Sequence, residues 1–219
     1  MSPSNRELVE FFISYKLLQK NYPSSLLLPN PARVQSDSDK AANVPNGLLA
    51  NPNGNRQTLA SLPPDDHLEA IKTALKDSAD EFEELFTQAF SNLSSQLDIT
   101  PETAYNSFKS VMDEVFKDGV NWGRIVGLFV FGGVLSVECV EKDMSNLVPR
   151  IADWMTIYLD ENITAWIQSQ GGWHSFAQIF GQNAAAEARR SRETLKKWLL
   201  VGVGLLTGVL VAMFIAKKQ

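Results

Sequence analysis

Residues 121–140, NWGRIVGLFVFGGVLSVECV, decide how this chain of 219 residues folds. Every residue after Arg124 in this stretch is apolar or glycine, except Ser136 and Glu138. A helix that is apolar on all sides is either buried in a protein core or spans a membrane. The apolar part of the stretch follows Arg124 directly and is shorter than the roughly 20 apolar residues that a transmembrane helix needs. It therefore predicts the central helix of a bundle, with Asn121 as its N-cap.

Amphipathic segments on both sides of this stretch predict further helices. Ser4 and Glu7 form a capping box at the start of the first, and Thr100 before Pro101 is the expected N-cap of another. The expected helices cover about residues 4–20, 66–90, 101–118 and 146–160, short segments around Trp166 and Phe176, and residues 184–198. The predicted fold class is all-α: a helical bundle around a central hydrophobic helical hairpin, followed by a C-terminal transmembrane helix.

Residues 23–66 are expected to form a disordered loop between an N-terminal helical segment, residues 1–22, and the bundle, residues 67–197. This loop contains seven of the ten prolines, six asparagines and no aromatic residue. Such a segment cannot bury enough apolar surface to offset the entropy of ordering it. Residues 26–28, all leucine, are an exception that this interpretation does not explain.

The C-terminal segment, residues 198–216, predicts a transmembrane anchor. Residues 199–216 carry no charge, and as a helix they would be roughly 27 Å long, close to the ~30 Å hydrocarbon core of a bilayer. Trp198 on one side, and Lys217 and Lys218 on the other, suit the two membrane interfaces. Because three residues follow this segment, the rest of the chain is expected to stay in the cytosol.

No arrangement of side chains predicts catalysis, a metal site or a cofactor. The two histidines, His67 and His174, lie in no metal-binding spacing such as H-x-x-x-H. The single cysteine, Cys139, allows no intrachain disulfide and is expected to be a buried small hydrophobe in a reducing compartment. The net charge of −5 gives no reason to expect a nucleic-acid partner. The acidic cluster in residues 80–84 is expected to be a solvated face.

Three features leave alternatives open. Arg124 lies in the first turn of an apolar helix, where the helix dipole disfavours a cation by about 0.3–1 kcal/mol. It is either a surface residue or a partner for an incoming carboxylate. Gly123 and Gly127 clear one helix face, for the protein's own helices or for another protein's helix. The apolar stripe in residues 71–82 is either core or a helix suited to a groove.

Four short segments together resemble the Bcl family of apoptosis regulators. They correspond to its fourth homology region (residues 4–17), its third (LKDSADEF, 75–82), its first (DGVNWGRIV, 118–126) and its second (WIQSQGGW, 166–173). Asn-Trp-Gly-Arg followed by Gly-Gly-Trp and a tail anchor is specific to this family. Apart from the loop, the similarity covers nearly the whole chain, and it is greatest to the anti-apoptotic members.

The resemblance implies a surface groove that accepts the third homology region of a partner as a helix. Arg124 would pair with the partner's aspartate, and Asn121 would hydrogen-bond near it. The residues implied are Phe82, Phe86, Phe90 and Leu93 for one wall, Val111, Glu114 and Val115 for the other, Gly123, Arg124, Gly127 and Phe131 for the floor, and Phe180 at one end.

The resemblance further implies an anti-apoptotic, non-enzymatic regulator with a regulatory loop in residues 23–66. It would sequester pro-apoptotic Bax-, Bak-, Bim- and Bad-like proteins and protect the mitochondrial outer membrane. It would face the cytosol from that membrane, occurring also in the cytosol, the endoplasmic reticulum or the nuclear envelope. A homodimer is allowed, whereas no cofactor, nucleic acid or small-molecule substrate is implied. The alternatives are a pore-forming effector of the same fold and, with little support, an unrelated tail-anchored enzyme.

Overall fold

A computed structural model describes residues 3–27, 66–91 and 99–181; for residue 66 and residues 85–91 it describes the backbone alone. The α-helices in these ranges are α1 (Asn5–Gln19), α2 (Asp66–Ser91), α3 (Ala104–Phe116), α4 (Trp122–Glu141), α5 (Val148–Tyr158), α6 (Thr164–Ser169) and α7 (Gly172–Phe180). Two 3-10 turns, Ser24–Leu27 and Ser145–Leu147, and a π-helical turn, Leu159–Ile163, complete the described elements. The all-α class is confirmed. The predicted anchor, residues 198–216, and most of the predicted loop lie outside the described residues.

The centre of the bundle is α4. Helices α1, α2, α3 and α5 all pack against it, and only Val134, Val140 and Glu141 of its residues are not buried. Among the described residues α4 is also the one helix long and apolar enough to cross a membrane, with a mean hydropathy of 1.7. Because 89% of that apolar window is buried inside the protein, α4 is the core helix that residues 121–140 predict, and α5 completes the hairpin.

Two adjacent glycines let neighbouring helices approach α4 closely. A Cβ atom at Gly132 would overlap Met155 Sδ of α5, and one at Gly133 would lie 2.7 Å from Lys16 Cγ of α1. Protein interiors are close-packed, so neither overlap is accommodated without a shift of the neighbour. The glycine pair therefore sets how near α1 and α5 lie to the central helix.

Polar side chains join α1 to α2. The phenol of Tyr15 donates hydrogen bonds to the Asp80 carboxylate, with O···O distances of 2.8 and 2.6 Å. Burial and this neighbouring carboxylate raise the pKa of Tyr15. The ammonium group of Lys16, which is buried, lies 2.8 Å from the Glu83 carboxylate. The acidic cluster of α2 is therefore only partly the solvated face that the sequence predicts, because two of its members hold α1.

Side-chain hydrogen bonds cap α1 and the turn that leads into α3. Ser4 Oγ accepts a hydrogen bond from the Glu7 N–H at 3.1 Å. Thr100 Oγ1 accepts one from the Thr103 N–H at 3.3 Å, and the Thr100 N–H donates to Thr103 Oγ1 at 2.9 Å. The Thr100 carbonyl accepts from the Ala104 N–H at 3.0 Å. Thr100 therefore makes the predicted capping contact, and the regular helix α3 begins at Ala104, after a turn over residues 101–103.

The first residues of the predicted loop belong to the bundle. Ser24–Leu27 forms a 3-10 turn, Leu27 is buried in the core, and Leu26 packs against it. This burial explains the apolar character of residues 26 and 27. Residues 24–27 therefore pack with the bundle, and α2 begins at Asp66, where the helical pattern in the sequence resumes.

Candidate partner-helix site

Arg124 occupies the first turn of α4, three residues after the capping residue Asn121. Asn121 Oδ1 accepts a hydrogen bond from the Arg124 N–H at 2.9 Å, which confirms the predicted N-cap. The guanidinium turns back towards the preceding loop: Nη1 donates to the Gly119 carbonyl at 2.5 Å, and Nη2 lies 3.8 Å from the Asp118 carboxylate. Gly119 has a φ of +101°, a left-handed conformation that favours glycine at this turn.

The hydrogen bonding of Arg124 is incomplete. The residue is only 5% exposed, and its Nε has no hydrogen-bond acceptor among the described residues. A buried donor without an acceptor loses about 1–3 kcal/mol of hydration that nothing replaces. Asp118 is a weak partner because its side chain is largely exposed and does not reach hydrogen-bonding distance. Arg124 therefore retains donor capacity for a second carboxylate.

Four of the apolar residues expected to line the groove lie inside the core. The exposed fraction is 0% for Phe82, Val111 and Phe131 and 1% for Val115. The rings of Phe108 and Phe131 lie 6.1 Å apart between centroids, so α3 packs its apolar face directly on α4. In this conformation these four side chains are covered by other parts of the chain, and the groove remains a prediction.

The other described groove residues lie around this packed face. Glu114 of α3 is half-buried and forms an ion pair with Lys117. Gly123 and Gly127 are buried on α4. Phe180 ends α7, where its ring lies 4.9 Å from that of Phe176. Three expected groove side chains lie outside the described ones: Phe86 and Phe90, which belong to α2, and Leu93.

The chain's own third homology region is part of the core. Leu75, Ala79 and Phe82 are 0% exposed, and α2 packs against both α4 and α7. Asp80 faces away from them, towards Tyr15 of α1. Of the two interpretations of the stripe in residues 71–82, the core interpretation is the one this conformation confirms.

A polar junction at Asn5 escaped the sequence analysis. Asn5 Nδ2 donates hydrogen bonds to Asp160 Oδ1 and Thr164 Oγ1, both at 2.7 Å, and Asn5 Oδ1 accepts one from Trp173 Nε1 at 2.9 Å. These bonds tie the start of α1 to the π-helical turn, α6 and α7. The partners are 155 to 168 residues away in sequence, so no local pattern could have identified them.

A cavity of about 200 Å³ between α3 and α5 was also not foreseen. Its aromatic lining includes Tyr105 and Phe108 of α3 and Trp154 and Tyr158 of α5. Tyr105 and Trp154 lie edge to face, with ring centroids 5.3 Å apart. The side of α3 that faces away from the expected groove is thus incompletely packed.

Comparison with known proteins agrees with the all-α architecture. Residues 75–173 match the family model described as apoptosis regulator proteins of the Bcl-2 family, and residues 1–25 match Bcl-2 homology region 4. The chain is 44% identical to Bcl-2-like protein 1 of Sus scrofa and 43% identical to that of Homo sapiens, over 100% of both chains in each pair. It is 36% identical to apoptosis regulator Bcl-2 of Cricetulus griseus, over 93% of each chain. On these grounds the chain is a member of the Bcl-2 family of apoptosis regulator proteins.

Proposed function

We propose that this protein is an anti-apoptotic regulator that captures pro-apoptotic members of its own family by binding their death-motif helices. The expected partners are Bax-, Bak-, Bim- and Bad-like proteins, and their capture would keep the mitochondrial outer membrane intact. The family assignment, the similarity over the full chain to Bcl-2-like protein 1 and the match to homology region 4 support this role. In this role the protein acts by binding and not by catalysis.

The observation that carries the proposal is the incomplete hydrogen bonding of Arg124. A death-motif helix brings an aspartate, and a guanidinium can hold a carboxylate through two parallel hydrogen bonds. Arg124 is already buried at the start of α4, so much of its desolvation has occurred before the partner arrives. The incoming carboxylate would replace the long contact to Asp118 and supply the acceptor that Nε lacks.

Capture also requires apolar surface, which in this conformation is buried. We propose that α3 is the wall that moves. Its main neighbour among the described helices is α4, and the cavity on its α5 side gives it room. Displacement of α3 would uncover Val111, Val115 and Phe131 together.

The expected affinity follows from the apolar surface that the partner buries. A partner helix with about four apolar anchors gains roughly 1.5–3 kcal/mol from each. Ordering the partner offsets about 2–5 kcal/mol of this gain, and opening the groove offsets more. We therefore expect dissociation constants between micromolar and nanomolar.

The proposed location is the mitochondrial outer membrane, with the helical bundle facing the cytosol. The support is the uncharged segment within residues 198–216 and its basic flanks. A fraction in the cytosol, the endoplasmic reticulum or the nuclear envelope is compatible with the same anchor, and so is a homodimer. Deletion of residues 198–216 is expected to release the protein from mitochondria in a fractionation experiment.

The test is a binding titration with a fluorescent death-motif peptide. Full-length protein in nanodiscs is compared with Arg124→Ala and with Arg150→Ala. Arg150 is the matched control because it is an exposed arginine that stacks on Trp154, away from the start of α4. We expect Arg124→Ala to weaken binding by about 2–5 kcal/mol, and Arg150→Ala to leave it nearly unchanged.

A second peptide separates the charge pair from a general loss of structure. If Arg124 holds the peptide aspartate, replacing that aspartate by alanine should weaken binding to the wild type far more than to Arg124→Ala. Equal losses in both proteins would exclude the pair, and absence of binding by folded wild type would exclude capture. Dye release from liposomes by the protein alone would instead support the pore-forming alternative. The match of residues 1–25 to homology region 4 favours the anti-apoptotic role over that alternative.

A further inference from the structure

The two histidines of the chain meet in the folded protein. His67 lies in the first turn of α2 and His174 lies in α7, and their ring centroids are 5.1 Å apart with an angle of 79° between the ring planes. Both side chains are exposed. Because α2 and α7 pack against each other, the backbone holds the two imidazoles at this spacing.

This spacing is that of two imidazoles on one metal ion. A tetrahedral Zn²⁺ with Zn–N distances of about 2.0–2.1 Å places the centroids of two ligating rings roughly 5–5.5 Å apart. The observed 5.1 Å lies within this interval. The two rings now lie edge to face, and they would have to rotate for a nitrogen of each to face a shared ion. Such rotation costs little energy because the terminal side-chain torsion of histidine has a broad range.

A neighbouring amide can orient one of the ligands. The amide group of Gln178 lies 3.0 Å from His174 Nε2. As placed, Gln178 Nε2 faces this nitrogen and can only donate to it. Rotation of the amide by 180° would let its oxygen accept the Nε2–H and leave Nδ1 of His174 as the metal ligand. Partners of this kind fix the tautomer and the orientation of metal-binding histidines.

We propose that His67 and His174 form a binding site for a transition-metal dication of the Zn²⁺, Ni²⁺ or Cu²⁺ class. Imidazole favours these ions over Mg²⁺ and Ca²⁺, which prefer oxygen ligands. The two imidazoles are the protein ligands that the described residues supply, since no group of three or more His, Cys, Asp and Glu side chains there could hold a metal. The bound ion links the first turn of α2 to α7. It thereby opposes fraying of the helix that carries the chain's own third homology region.

The test is calorimetric titration of untagged full-length protein in detergent micelles with Zn²⁺ at about pH 7.5, with Mg²⁺ as the control ion. We expect one Zn²⁺ per chain and no binding of Mg²⁺. His67→Ala and His174→Ala should each weaken Zn²⁺ binding by more than about 10-fold, since loss of even an outer partner has an effect of that size. Because the chain has two histidines, Zn²⁺ binding that survives in both variants would come from carboxylates and would overturn the proposal.

A rescue variant and a local measurement distinguish a metal site from an aromatic contact. His67→Cys should retain Zn²⁺ binding because a thiolate is also a zinc ligand, whereas His67→Phe retains only the ring contact and should lose binding. Zn²⁺ should slow amide hydrogen exchange in the first turns of α2 in the wild type and in His67→Cys. If exchange there is the same with and without Zn²⁺, the proposed link between α2 and α7 is wrong.

Discussion

The polar junction at Asn5 provides the sharpest test of how the ends of this fold are held together. In Asn5→Asp, the shape of the side chain is kept but an oxygen replaces the amide nitrogen that donates to Asp160 and Thr164. The lost hydrogen bonds reduce stability by about 0.5–1.5 kcal/mol each. The two carboxylates, after relaxation to about 4 Å, repel by about 1–4 kcal/mol, depending on how well water screens them. A carboxylate in the first turn of α1 interacts favourably with the helix dipole, which stabilises the fold by about 0.3–1 kcal/mol.

The expected result for Asn5→Asp is a destabilisation of about 1–7 kcal/mol, since these contributions largely add. The assay is urea unfolding of the full-length protein in micelles, followed by near-ultraviolet circular dichroism, to which the buried Trp173 contributes. Repulsion requires two ionised carboxylates, so the folded state holds a proton more tightly than the unfolded chain. The destabilisation should therefore shrink as the pH falls from about 7 to about 4.

The matched control is Asp160→Asn in the Asn5→Asp background. An amide at position 160 can donate to the new carboxylate, so the double variant should recover at least half of the lost stability. The reasoning is refuted if Asn5→Asp is within about 0.5 kcal/mol of the wild type, the range of an ordinary surface substitution. Additive effects of the two substitutions would likewise show that the side chains do not interact.

Three further predictions concern the contacts around α1 and α4. Gly133→Ala should destabilise the fold by about 1–3 kcal/mol through overpacking, despite the higher helix propensity of alanine. Lys16→Ala is itself destabilising because it removes the ion pair with Glu83, but in that background Gly133→Ala should cost less, since the Cγ that lies 2.7 Å from the new methyl group is absent; a double-mutant cycle of urea unfolding checks it. Tyr15→Phe should cost about 1–2 kcal/mol by removing the hydrogen bond to Asp80, with faster amide exchange at the α1–α2 contact, and unchanged exchange would contradict it. Burial raises the pKa of the Cys139 thiol from 9.0 to about 12, so the folded state keeps a proton that the unfolded chain loses, and stability should fall as the pH rises from about 9 towards 12. Cys139→Val should show a weaker decline over that range, and equal declines in both proteins would exclude the thiol as the cause.

Much of the fold could be predicted because its signals are local. The apolar run in residues 121–140 requires burial on every side, and one helix at the centre of a bundle provides it. Asn121 and Ser4 cap the helices that they were expected to cap, since a cap depends on three or four consecutive residues. Thr100 likewise makes its expected capping contact with the Thr103 N–H, but the regular helix α3 begins at Ala104, because residues 101–103 form a turn.

The residues of the expected groove were harder to interpret. Their identities follow from the resemblance, but burial of Val111, Val115 and Phe131 depends on how α3 settles on α4. An apolar side chain has the same helical spacing whether it lines an open groove or a closed core. Arg124 illustrates the same difficulty, since its bond to the Gly119 carbonyl depends on the loop conformation and not on residue type alone.

The sequence by itself determined the helical class, the central helix, two of the caps and the family, because periodicity, capping and short motifs act within a few residues. Only the tertiary structure decided which residues meet across the chain: Asn5 with Asp160 and Trp173, Tyr15 with Asp80, and His67 with His174. Such contacts arise when the apolar faces of several helices are buried together. That burial fixes the polar neighbours at the ends and edges of the helices, where no local pattern in the sequence records the partner.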